Sequence, residues 1–104
     1  MTLLTILTTT PTIEEAESLA EKLVEEKLAG CVQIVPQIRS IYFWQADVKK
    51  DTECLLLVKT LPDRYDAVEA FIRNNHSYSV PEIVAIKSEK VFDGYLDWLK
   101  SCLS

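Results

Sequence analysis

A chain of 104 residues with 48% hydrophobic side chains, two glycines and four prolines has room for one core and none for disordered or low-complexity segments. Its formal charge of −5 argues against a nucleic-acid partner, because phosphate-backbone affinity needs clustered Lys and Arg, and the longest basic run is Lys49-Lys50. The apolar start Leu3–Leu7 has no basic flank or cleavage site and is too short for a bilayer, so one domain over residues 1–104, cytoplasmic and with no membrane partner, is expected.

Residues 3–9 mix β-branched and apolar side chains as a strand does, and Pro11 stops them. Thr12 and Glu15 have capping-box spacing, and Ile13, Ala16, Leu19, Ala20, Leu23, Val24 and Leu28 then recur every three or four residues. Glutamates fill the other side of this predicted helix, and Gly30 is placed to end it in a left-handed turn. A second strand starts at Cys31-Val32, meets Pro36 at a bulge or an edge, and resumes over 38–44. In that stretch Ile41 and Phe43 should share the core face, leaving Tyr42 and Trp44 on the other. Residues 45–52 are polar and hold the predicted hairpin turn, and 53–60 reads as a central strand covered on both faces.

Pro62 and Asp63 suit the start of a second helix with Tyr65, Val68, Phe71 and Ile72 inward, closed by Asn74-Asn75-His76. Residues 81–86 are the predicted fourth strand, and Asp93 can cap a last helix carrying Tyr95, Leu96, Trp98, Leu99 and Leu103. The order βαββαβ plus a C-terminal helix predicts an α+β, ferredoxin-like domain, with both main helices on one face of an antiparallel sheet.

The chain lacks the parts of a common catalytic site. It has one histidine, His76, and its two glycines, Gly30 and Gly94, cannot build a phosphate-cradling loop, so a non-enzyme is expected. Cys31, Cys54 and Cys102 are odd in number and far apart, the pattern of unpaired thiols in a reducing compartment. For a metal the candidate ligands are His76 and nearby Glu82, although neither Cys-x-x-Cys nor His-x-x-x-His is present. No cofactor is otherwise implied. Tyr42 and Trp44, on a sheet face that two helices leave bare, are the candidate contacts of a self-associating protein.

Cys31–Pro36, Ser40–Trp44, Glu53–Thr60, His76–Ile83 and Tyr95–Trp98, taken in order, resemble the signature of the CutA divalent-ion tolerance family. The resemblance implies a ferredoxin-like subunit of a homotrimer associated with tolerance to copper and other divalent cations. The chain departs from the family pattern at Ser77, where proline is usual, and at Ala46, where glycine is usual. Some members carry Cys at the position of Thr8 and His at that of Asn75, where copper ligation has been assigned; here only His76 of that set is retained. The resulting expectation is a trimeric protein of the metal-ion response with weak divalent-cation binding. The alternative is a trimeric sensor that binds a small molecule in clefts between subunits.

Overall fold

The computed structural model describes residues 2–104. Its elements are β1 (Leu4–Thr10), α1 (Ile13–Glu25), β2 (Cys31–Trp44), β3 (Asp47–Thr60), a 3-10 turn (Pro62–Arg64), α2 (Tyr65–Asn75), β4 (Val84–Lys87) and α3 (Asp93–Leu103). The strands form one antiparallel sheet in the order β2-β3-β1-β4, the ferredoxin-like arrangement. α1 and α2 lie on one face. Ala16, Leu19 and Leu23 of α1 and Val68 and Ile72 of α2 bury against Ile6, Leu56 and Val58 of the two central strands. Full burial of a side chain such as Leu23 or Ile72 contributes about 1.5–3 kcal/mol.

Local chemistry accounts for the boundaries, with several differences from expectation. Thr12 caps α1 by accepting the Glu15 N–H at 3.2 Å, but the Glu15 carboxylate does not return to the cap; it accepts the Ser77 N–H at 3.0 Å. α1 ends in a left-handed residue at Lys27 (φ 58°), not at Gly30, and no glycine among the described residues has positive φ. Gly30 is required for space: a Cβ there would lie 2.4 Å from Cδ1 of Leu99. α3 is thereby seated through a second cluster of Leu3, Leu96 and Leu99. Asp93 opens α3 without a side-chain cap, Phe92 being the cap residue. β4 starts at Val84 rather than Pro81 and ends at Lys87, one residue past the expected end.

Pro36 sits in a register shift between Val35 and Ile38, and β2 is an edge strand, as its missing N–H demands. The hairpin turn is only Gln45-Ala46, with φ of 50° and 67°, so both strands run to 14 residues. At about 3.3 Å per residue such strands span roughly 45 Å, matching the 44 Å long axis of the molecule. The far end of the hairpin consequently projects past the helices. That overturns the expected core placement of Ile41 and Phe43: they are 66% and 70% exposed, more than Tyr42 and Trp44.

Candidate functional site

Two features on the side of the sheet away from α1 and α2 set the chemistry. The first is an apolar surface. Because strand side chains alternate, Leu7, Leu55, Leu57, Val35, Val84 and Ile86 point away from the helix-covered core. Leu7, Leu55 and Leu57 are only half-buried, and Val35, Val84 and Ile86 are exposed. β3 is therefore covered on one face and not on both. This bare sheet continues into the hairpin arm, where Tyr42 and Trp44 are 40% and 48% exposed.

The second is a pocket of about 680 Å³ between the hairpin and the loop that follows α2. Tyr42, Trp44, Glu53, Tyr78 and Glu82 line it together with small hydroxyl residues such as Ser40. The Glu53 carboxylate is buried and accepts the Tyr78 hydroxyl at 2.8 Å. Burial first, and then the Glu53 carboxylate, hold the Tyr78 phenol above the ordinary range. Across the pocket the Tyr42 hydroxyl donates to Asp51, and that hydrogen bond raises the Tyr42 phenol likewise. Both phenols therefore remain proton donors to their carboxylates.

His76 fixes the loop that carries Tyr78. It leaves α2 in an extended conformation (φ −103°, ψ 145°), and its side chain is fully buried. Nδ1 accepts the Tyr78 N–H at 3.0 Å, which places the ring proton on Nε2, and Nε2–H donates to the Thr9 carbonyl at 2.6 Å. β4 pairs with β1 only as far as Leu7, so the imidazole meets β1 two residues beyond the end of the neighbouring strand. Glu15 lies 3.5 Å from Nδ1 and holds the Ser77 N–H.

Of the residues singled out in the sequence, Tyr42, Trp44 and Glu82 share the pocket, while His76 stands behind it with both ring nitrogens engaged. Thr8 is fully buried on the helix side with its hydroxyl unpartnered, and the Asn75 amide donates to the Phe71 carbonyl at 2.8 Å. No group of three or more His, Cys, Asp or Glu converges to hold a metal ion among the described residues. Cys31, Cys54 and Cys102 are unpaired. Sequence reasoning missed Glu53, Tyr78 and Glu15. The one available signal was a carboxylate, Glu53, at the mouth of a strand otherwise apolar enough to be buried.

By class the chain is a ferredoxin-like α+β domain with a long projecting hairpin, a bare sheet face and an acidic aromatic pocket. The family profile of the CutA1 divalent ion tolerance protein matches residues 4–102, and the chain belongs to that family. It is 46% identical over 95 residues to the divalent-cation tolerance protein CutA of Thermus thermophilus, covering 91% of this chain and 92% of that one. It is 41% identical over 96 residues to the chloroplastic CutA of Arabidopsis thaliana, covering 92% of this chain but only 53% of that protein. Among solved structures, CutA1 of Oryza sativa superposes with a TM-score of 0.96 at 38% identity, over 100% of this chain and 95% of that one. The periplasmic divalent cation tolerance protein CutA of Archaeoglobus fulgidus gives 0.95 at 35%, over 98% and 99%.

Proposed function

We propose that the chain is the subunit of a closed homotrimer that serves divalent-cation tolerance by binding and not by catalysis. The observation that supports assembly is the bare sheet face: Val35, Val84 and Ile86 lie exposed beside half-buried Leu7, Leu55 and Leu57, and the face runs on into Tyr42 and Trp44. A contiguous apolar surface of this kind marks an interface, and closed rotational symmetry consumes it without leaving a sticky edge. Membership of the divalent-ion tolerance family supports the cation role, with copper the proposed metal. Three unpaired thiols favour a reducing compartment, the cytoplasm.

Glu82, exposed on the pocket wall, is the proposed metal contact; His76 would join it only by releasing the Thr9 carbonyl or the Tyr78 N–H. A single carboxylate leaves most coordination positions to water, so binding is weak. Light scattering should give about three times the 11.8 kDa subunit mass, and Trp44→Ala should shift the equilibrium toward monomer. A parent protein that is monomeric at micromolar concentration sinks the assembly. A second reading, a small-molecule sensor with its site at the subunit junction, is favoured by the pocket itself, whose volume is that of a ligand site.

A further inference from the structure

The pocket beside the hairpin has an electrostatic imbalance. Glu53 is 8% exposed, its carboxylate accepts one phenolic hydrogen bond from Tyr78, and no Lys, Arg or His pairs with it among the described residues. A carboxylate this far buried, with one hydrogen-bond donor and no counter-charge, favours the entry of a positive group. The rest of the wall repeats the bias. Glu82 adds a second carboxylate, the lining Tyr42 donates its hydroxyl to the carboxylate of Asp51, and no basic residue lines the cavity. Tyr78 and Tyr42 donate hydrogen bonds to carboxylates and stay neutral, so neither supplies the positive charge that the pocket lacks.

The wall also presents three aromatic rings, from Tyr42, Trp44 and Tyr78. Strongly hydrated metal ions need several converging ligands, and the described residues offer no group of three. An anion would be repelled. A weakly hydrated cation with aliphatic substituents satisfies both halves of the wall at once, meeting the carboxylates by charge and the rings by cation–π contact. We propose that this pocket binds an organic ammonium ion between the rings of Tyr42, Trp44 and Tyr78, with Glu53 as its counter-ion. The proposal rests on the small-molecule reading above and names its ligand class. It depends on the assembly only in that Tyr42 and Trp44 would then stand at the subunit junction.

Calorimetric titration of the full chain with tetramethylammonium chloride, and with tert-butanol as a neutral molecule of similar shape, tests this at constant ionic strength. Tetramethylammonium should bind about tenfold more tightly, the scale of a desolvated cation–π contact. Glu53→Gln should abolish that preference with the circular dichroism spectrum unchanged. Tyr78→Phe, which keeps both ring and charge, should preserve it. Equal affinities, no heat from tetramethylammonium, or a preference that survives Glu53→Gln overturns the proposal. Should Glu53→Gln fail to fold, Glu82→Gln must weaken tetramethylammonium binding severalfold, and unchanged binding overturns it equally. Light scattering on the same samples separates the two readings. A trimer that does not prefer the cation removes the ligand and keeps the assembly, while a monomer that binds it removes the assembly and keeps the ligand.

Discussion

Alanine at position 76 is expected to destabilise the protein by about 2–4 kcal/mol through the loss of a structural pin. The His76 side chain is fully buried, its two nitrogens serve the Thr9 carbonyl at 2.6 Å and the Tyr78 N–H at 3.0 Å, and its ring centroid lies 4.9 Å from that of Tyr78. Truncation strips both backbone groups of their partner, at about 1–3 kcal/mol for each that water cannot reach. It also opens a void where the imidazole packed. Both sites are only partly buried, so hydration recovers some of the loss and holds the sum below the two maxima. Against a domain stability of about 5–15 kcal/mol this is a large fraction. Urea unfolding followed by circular dichroism, at one fixed protein concentration, measures it. With a slope of about 1–3 kcal/mol per molar urea the midpoint should fall by roughly 1–3 M. His76→Gln, whose amide can still donate to Thr9, should recover part of the difference. A midpoint for His76→Ala within about 0.3 M of the parent refutes the pin, since such a shift is below 1 kcal/mol.

Gly30→Ala should destabilise by about 1–3 kcal/mol, because the new Cβ would meet the fully buried Leu99 Cδ1 at 2.4 Å. In a double-mutant cycle with Leu99→Ala the two losses should sum to more than the double mutant shows, and strict additivity would refute the contact. All four tyrosines titrate above their ordinary range: Tyr42 and Tyr65 through hydrogen bonds to Asp51 and Glu69, Tyr78 and Tyr95 first through burial. The native state thus retains protons that the unfolded chain gives up near pH 10. The stabilisation from protonated tyrosine is complete below that pH and is lost as pH rises through the folded-state values. Absorbance at 295 nm should accordingly rise later in native than in urea-unfolded protein, and coincident curves would contradict the hydrogen bonding.

The local features of the fold are legible in the order of residues alone. The strand of Leu4–Thr10, the Thr12 cap and apolar stripe of α1, the bulge at Pro36 and the inward side of α2 follow from alternation, three-to-four periodicity and turn chemistry, each confined to a few neighbouring residues. Features that depend on distant partners emerge only when the elements pack together. Gly30 reads as a helix terminator until Leu99 is seen against it, and Ile41 and Phe43 read as core until the hairpin is seen to outrun the helices that would cover them. The pocket is the same case. His76 meets Thr9 across 67 residues of chain, Ser77 meets Glu15 across 62, and Tyr78 meets Glu53 across 25. No local pattern encodes such pairs, because side-chain periodicity fixes which face a residue takes on its own element and not which element will lie opposite.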